Sequence, residues 1–259
     1  MIQNNPEADA NASGTTEGKE TPKEMSFAAH IAELRRRLLV CTGAVLLCAI
    51  PCGIFWREIF DGIAVWPLHL SAPIPEIIFT APADAVVLSF KIALTGGVLF
   101  ASPLIFQQIW SFIAPGLYKK ERAVILAAAF ASTVCFLAGV AFSYFLLPYV
   151  LQFLIGFAEG QMEPFFRVHE YFNFLMRMCF AFGIAFEMPV LAFVLSKMGV
   201  IDHRFLIRYF RYAIVAIFIV AAILTPPDVL SQVLLALPLL ALYALSILIA
   251  FFSGRKAKT

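Results

Sequence analysis

The chain has 259 residues, of which 61% are hydrophobic and only 14% are charged. Soluble domains are about 45–50% apolar and about 25% charged, so this composition excludes an ordinary soluble protein and predicts an integral membrane protein. The net charge of +2 is too small to indicate nucleic-acid binding. The five cysteines lie inside apolar runs and lack the spacing of metal ligands, so we expect no metal site. We also predict no cofactor.

Residues 1–25 are polar and lack apolar periodicity, which predicts a disordered cytoplasmic tail without a cleavable signal peptide. A transmembrane domain is predicted over 26–252, and a short basic cytoplasmic tail over 253–259. Because about 20 apolar residues cross ~30 Å of hydrocarbon, the domain is predicted to be an all-α bundle of six transmembrane helices. The apolar runs lie near 38–57, 86–114, 123–148, 171–196, 212–224 and 229–252.

The fifth run is short, since its 13 residues reach only ~20 Å as a helix. Either Arg208 and Arg211 snorkel while residues 206–210 lengthen the span, or the bilayer is thin there.

Basic residues set the orientation. If both termini are cytoplasmic, 15 of the 19 lysines and arginines face the cytoplasm, including those of the loop at 115–122. The positive-inside rule therefore predicts this topology. The segments at 58–85 and 149–169 then lie outside the cell. Their prolines and aromatic residues, among them Trp66, predict ordered caps over the bundle.

The sequence contains no phosphate-binding loop, no H-E-x-x-H motif and no paired aspartates or Ser/His pair in a span, so we predict that the protein is not an enzyme. Ionisable groups in or beside the membrane are the remaining functional candidates. These are Glu33, Lys91, Glu121, Arg177 and Glu187.

Glu187 lies about 15 Å from the cytoplasmic end of its helix, where a lone carboxylate is costly unless it is paired or protonated. Arg177 is ten positions away and on a different part of the helix surface, so the two do not pair directly. Glu187 therefore bonds to another helix of this chain, or accepts a polar group from a partner helix, or relays a proton. Nearby, Gly183 and Pro189 are expected to loosen the helix and admit a close neighbour.

Two further carboxylates, Glu33 and Glu121, are predicted at the cytoplasmic face, where the first and third helices begin. Taken singly, Glu33 can pair with Arg37 one helical turn away, and Glu121 can stabilise a helix start. Taken together, they suit a ligand that carries two guanidinium groups beside an apolar segment, because arginine binds carboxylates bidentately.

Four separated stretches closely resemble the TatC family, the multi-spanning receptor of the twin-arginine translocase. They are HIAELRRRL at 30–38, SPLIFQQIWSFIAPGLYKKER at 102–122, FGIAFEMPV at 182–190 and LTPPDVLSQVLLALPLLALY at 224–243. The resemblance implies that Glu33, Phe112 and Glu121 bind the twin-arginine motif of signal peptides. It also implies that Glu187 and Gln232 are intramembrane contacts for partner subunits, and it includes Pro115 and Asp228 among the family's motif positions.

The resemblance thus implies a receptor and scaffold of a protein translocase in the inner membrane. It would bind signal peptides of folded cargo, recruit single-span amphipathic subunits into an oligomeric complex among membrane lipids, and use the proton-motive force. An ion-coupled secondary transporter with Glu187 as its carrier carboxylate is the alternative, weakened because the two three-helix halves show no repeat. A purely structural scaffold is a third option, but it gives no reason for the two carboxylates at the cytoplasmic face.

Overall fold

The computed structural model describes residues 27–70, 76–113, 122–156, 165–225 and 229–253. These residues are helical apart from two short strands and the turns between elements. The predicted tails at 1–25 and 253–259 lie outside the described residues, except for Ser253 at the end of α10, so the domain boundaries stay predictions. The elements in chain order are α1 (Phe27–Ile54), α2 (Trp56–Ile59), a π-helical turn (Phe60–Ala64), α3 (Trp66–His69), β1 (Glu76–Ile78), α4 (Asp84–Ile113), α5 (Arg122–Gly156), β2 (Phe165–Arg167), α6 (Val168–Ala185), α7 (Glu187–Lys197), α8 (His203–Arg208), α9 (Phe210–Leu224) and α10 (Val229–Ser253).

Five described segments are long and apolar enough to cross a membrane: His30–Ile54, Asp84–Ile113, Leu126–Gly156, Val168–Lys197 and Val229–Ser253. The fourth of them combines α6 and α7. Helix α9 is the short additional span, with 15 residues. The predicted all-α membrane fold is confirmed, and its six spans follow the predicted order.

Glycines allow two helix pairs to approach closely. A Cβ atom at Gly97 of α4 would lie 2.7 Å from the carbonyl oxygen of Val45 in α1, and one at Gly139 of α5 would lie 2.5 Å from that of Phe182 in α6. At Gly183 a Cβ atom would meet the ring of Phe136 at 2.6 Å, and the Cα atom of Gly183 lies 2.9 Å from the Cβ position of Gly139, so a neighbouring helix does come close there. Small residues of this kind let helices associate where lipid removes the hydrophobic driving force.

Two spans contain a break in their helix. Phe186 separates α6 from α7 and has backbone angles of φ −69° and ψ −11°. Pro189 follows in the first turn of α7, and because proline has no N–H it leaves one carbonyl of the preceding turn without its helical partner. Tyr209, with φ −90° and ψ 4°, likewise separates α8 from α9. Most of the residues that the sequence adds to the start of the fifth span therefore lie in a separate short helix, α8, rather than in a straight continuation of α9.

The third span is longer than the sequence predicted. Helix α5 continues through Pro148 to Gly156, although an apolar run ending near residue 148 and a loop from 149 were expected. Val150, Leu151 and Ile155 are buried. Packing of these side chains against neighbouring helices keeps this segment helical and shortens the loop.

An outer cap covers the end of the bundle that is predicted to face outside. It consists of residues 56–70 together with β1 and β2, which pair in parallel. Trp66 stacks on Tyr144 of α5 with ring centroids 5.5 Å apart. The Tyr144 hydroxyl donates to the carbonyl of Ile63 at 2.8 Å, and that of Tyr171 donates to the carbonyl of Ala64 at 2.5 Å. The first outer segment is thus fixed to α5 and α6, while residues 71–75 and 157–164 lie outside the described residues.

Candidate functional site

A cluster of polar and aromatic side chains joins α1 to α4 at the predicted cytoplasmic end. Arg37 donates to one carboxylate oxygen of Glu33, Oε1, from Nε at 3.0 Å and from a terminal nitrogen at 2.5 Å. Its other terminal nitrogen donates to the side-chain oxygen of Gln108 at 3.1 Å. The predicted pairing of Glu33 with Arg37 is therefore present, and the same guanidinium connects the two helices.

An aromatic contact extends this cluster by one helical turn on each helix. The imidazole of His30 stacks on the ring of Phe112, with centroids 4.4 Å apart and an interplanar angle of 22°. His30 precedes Glu33 by three positions and Phe112 follows Gln108 by four, so each pair shares one helix face. Glu33 and Phe112 consequently belong to one surface, which we call the rim cluster: His30, Glu33, Arg37, Gln108 and Phe112.

Two residues assigned to the same neighbourhood by the sequence, Pro115 and Glu121, lie outside the described residues. Helix α4 ends at Ile113 and α5 begins at Arg122. Glu121 therefore directly precedes the first residue of α5. Its placement relative to Glu33 stays a prediction.

Glu187 is the first residue of α7 and is buried, with 8% of its surface exposed. Its Oε1 atom has no hydrogen-bond partner among the described residues. The hydroxyl of Ser132 in α5 lies within interaction range of the carboxyl group and accepts a hydrogen bond from Trp110 Nε1 of α4 at 2.8 Å. The carboxyl group is thus placed beside a polar contact between α4 and α5, with hydrogen-bonding capacity left over.

Gln232 is placed at the contact of α10 with α9. Its amide nitrogen donates to the carbonyl of Phe218 at 2.9 Å, and the residue is partly buried. Asp228 lies outside the described residues, in the gap that precedes α10. Gln232 and Glu187 are therefore on different helices, and the sequence-based grouping of these residues rests on the family motif.

A second polar cluster, near the outer end, contains Lys91. Its ammonium group lies 2.8 Å from Nε2 of His169 and donates to the side-chain oxygen of Asn173 at 2.6 Å. Both partners belong to α6, whereas Lys91 belongs to α4. These contacts provide polar partners for Lys91, one of the two cations that the sequence predicts within a span. The described residues contain no group of three or more His, Cys, Asp or Glu side chains that could hold a metal ion.

Comparison with known proteins bears on the whole domain. The family described as Sec-independent protein translocase protein (TatC) matches residues 29–238. A curated TatC protein of Helicobacter pylori strain J99 is 43% identical over 222 residues, which are 85% of this chain and 87% of that protein. The chain belongs to the TatC family. A TatC protein of Aquifex aeolicus is 38% identical over 237 residues, covering 90% of this chain and 98% of its own length.

The fold agrees with a solved TatC structure. The crystal structure described as that of the twin-arginine translocase receptor TatC superposes with a TM-score of 0.79 at 38% sequence identity, covering 87% of this chain and 100% of that chain. As a TatC protein, the chain is a multi-pass component of the Sec-independent translocase in the inner membrane and not an enzyme. This membership does not favour the secondary-transporter alternative.

Sequence reasoning missed several residues that contact the candidate site residues. His30 and Gln108 lie inside the quoted motifs, but their contacts with Phe112 and Arg37 depend on how α1 packs against α4. A single serine in an apolar run, such as Ser132, does not indicate a site in the sequence. Its proximity to Glu187 arises only from the packing of α5 against α7. His169 and Asn173 share one face of α6 at a spacing of four, which was the available sign of a polar contact there.

Proposed function

We propose that this TatC protein binds twin-arginine signal peptides at its cytoplasmic face, with Glu33 and Phe112 of the rim cluster and Glu121 as the binding residues. The peptide's guanidinium groups pair with the two carboxylates, and its apolar segment packs beside Phe112. Bound cargo is then passed on by single-span partner subunits. The observation that carries this proposal is the location of Glu33 and Phe112 on adjoining faces of α1 and α4.

The hydrogen bonding of Glu33 supports a role in binding. Both bonds from Arg37 end on Oε1, and Oε2 receives none from the described residues. The Glu33 side chain is 25% exposed, so a ligand can reach it. An incoming guanidinium can therefore use Oε2 while Arg37 holds the carboxylate in place, and a charge-assisted bond of this kind contributes about 1.5–3 kcal/mol.

We further propose that Glu187 and Gln232 contact the single helices of partner subunits. The leftover bonding capacity of Glu187 supports this, because a buried carboxyl group gains from a donor supplied by a neighbouring helix. The sequence has no nucleotide-binding loop, so the energy for export must come from another source, and the family resemblance implies that this source is the proton-motive force. Several copies of the chain assemble with these subunits, in contact with membrane lipid.

Peptide binding to purified protein tests the proposal. A signal peptide with Arg-Arg and a second with Lys-Lys are titrated against wild type and Glu33→Gln. Wild type should prefer the Arg-Arg peptide, and the variant should lose about tenfold or more of its affinity for it. Glu58→Gln is the matched control, because Glu58 is an exposed residue of the outer cap, at the opposite end of the bundle from the rim cluster. Equal affinity of wild type for both peptides, or equal losses in both variants, would refute the assignment.

A further inference from the structure

A cavity of about 360 Å³ lies near the outer end of the bundle, between α5, α6 and α9. Leu151, Leu154 and Ile223 contribute to its apolar wall, and Glu170 and Arg177 are its charged residues. The cavity adjoins the last residues of α9, which ends at Leu224 after 15 residues. Among the described residues, the short fifth span thus leaves one face of α6 uncovered at this level.

Glu170 and Arg177 are aligned on that face. They are seven residues apart on α6, which places them nearly above one another and about 10 Å apart along the helix axis. Both side chains are exposed, and neither forms an ion pair with another residue in the described part of the chain. Lys91, the nearby cation of α4, already contacts His169 and Asn173.

The depth of Arg177 brings its guanidinium to the level of the lipid headgroups. The span Val168–Lys197 has 30 residues, or about 45 Å of helix, which exceeds the ~30 Å hydrocarbon layer by several Å at each end. Arg177 is nine residues from the start of this span, so its Cα lies just inside the hydrocarbon edge. Side chains of a helix lean toward its N-terminus, here the outer end, so a long arginine reaches the level of lipid phosphates. A guanidinium at this level can form charge-assisted hydrogen bonds with a lipid phosphate.

We propose that this cavity binds the headgroup of a phospholipid that carries a primary ammonium group, that is, phosphatidylethanolamine. Arg177 binds the phosphate, Glu170 binds the ammonium, and the acyl chains lie along the apolar wall. The order of charges fits, because the carboxylate is nearer the membrane surface than the guanidinium, as the ammonium of this lipid is relative to its phosphate. Both bonds are charge-assisted, which is the strong class of hydrogen bond.

The same chemistry selects against other headgroups. Phosphatidylcholine has a phosphate for Arg177, but its quaternary ammonium has no N–H to donate to Glu170. Phosphatidylglycerol has no cation at all and leaves the Glu170 carboxylate unneutralised beside an anionic lipid. Glu170 therefore determines the preference for the ethanolamine headgroup, and Arg177 determines how strongly any phospholipid is retained.

Native mass spectrometry of the purified full-length protein tests this proposal. The delipidated protein is titrated with the three lipids, all with the same acyl chains. Wild type should retain phosphatidylethanolamine about five- to tenfold better than the other two. Arg177→Gln should lower retention of all three lipids, and Glu170→Gln should abolish the preference while still retaining phosphatidylglycerol. Arg57→Gln is the matched control, since Arg57 is an exposed arginine of the outer cap that stacks on Trp56 outside the cavity.

Several results would overturn the proposal. Equal retention of the three lipids by wild type would show that no headgroup is selected, and an equal loss in Arg57→Gln would show general attraction of lipid to outer cations. Cross-linking from position 177 to a partner protein in native membranes, unaffected by added phosphatidylethanolamine, would assign the cavity to a protein helix. Size-exclusion profiles confirm folding, and if Arg177→Gln fails that check, the headgroup preference of Glu170→Gln decides alone.

Discussion

Arg37 holds Glu33 through two hydrogen bonds to a single carboxylate oxygen and uses its third nitrogen to reach Gln108 on the neighbouring helix. The guanidinium therefore serves as a tie between α1 and α4 as well as a support for Glu33. Because both side chains of the ion pair are still partly exposed, at 22% and 25%, solvent screens part of the attraction.

Replacing Arg37 should lower stability by a modest amount. We expect Arg37→Gln to reduce the free energy of unfolding by about 0.5–1 kcal/mol, because it removes a screened ion pair and one bond between helices. Thermal unfolding in detergent measures the effect. The adjacent Arg36 is exposed, and Arg36→Gln should change stability by less than about 0.5 kcal/mol. Equal destabilisation by the two variants would contradict the role of Arg37 as a tie.

The crossing of α5 and α6 should not tolerate a side chain at Gly139. The added methyl of Gly139→Ala would meet the backbone carbonyl oxygen of Phe182 at 2.5 Å, so the helices must separate. We expect a loss of about 1–3 kcal/mol in thermal unfolding experiments. Gly43 is the matched control, because a Cβ atom there has no neighbour within 4 Å. Gly43→Ala should leave the protein as stable or up to about 1 kcal/mol more stable, and a loss equal to that at Gly139 would refute the packing explanation.

Glu187 should matter more for assembly than for folding. A buried carboxyl group with a missing partner contributes little to stability, so Glu187→Ala should leave the protein folded, or slightly more stable, while weakening its association with single-span subunits. Co-purification of partners measures the second effect. Unchanged co-purification would argue against the partner contact, and loss of the folded protein would indicate that Ser132 and its neighbours need this carboxyl group.

For Glu121 the size of the effect separates two roles. If it only stabilises the start of α5, Glu121→Gln should cost about 0.3–1 kcal/mol of stability and leave peptide binding unchanged. If it binds a peptide arginine, affinity should fall by about 1.5–3 kcal/mol, and the preference for Arg-Arg over Lys-Lys should shrink. Affinities of both proteins for both peptides form a double-mutant cycle. A coupling energy below about 0.5 kcal/mol between Glu121 and the peptide arginines, in a folded variant, would show that Glu121 only stabilises the start of α5.

Thiol labelling can test the predicted topology. In a variant without the five native cysteines, a cysteine introduced for Lys120 should react only with reagents that reach the cytoplasm. A cysteine introduced for Glu58, in the outer cap, should react from outside. Labelling of position 120 from outside would reverse the orientation.

The spans and their order could be predicted from the sequence because long apolar runs report membrane helices directly. Their ends could not, because a proline in an apolar run can either end a helix or lie within it. Helix α5 continues through Pro148, where the predicted run ended, and Leu151 and Ile155 beyond it are buried. The break at Phe186 was only hinted at by Pro189, since a proline near the middle of an apolar run signals a distortion without locating it.

The sites divide in the same way. The pairing of Glu33 with Arg37 follows from a spacing of four on one helix, and it was predicted. The contact of Arg37 with Gln108 joins positions 71 residues apart and depends on the rotation of α1 against α4, which no local pattern specifies. The neighbourhood of Glu187 was left open between an internal and an external partner, because Ser132 lies on a helix whose facing side was unknown.

The outer cap has a consequence for biosynthesis. The hydrogen bond from Tyr171 to Ala64 joins residues 107 positions apart, and β1 acquires its partner strand only when β2 has been made. At about 5–20 residues per second, the ribosome needs on the order of ten seconds between the two halves of this contact. During that interval the first outer segment has crossed the membrane without the strand and tyrosine that later secure it. A nascent chain stalled before α6 should therefore be cut in that segment by an external protease that spares the finished protein.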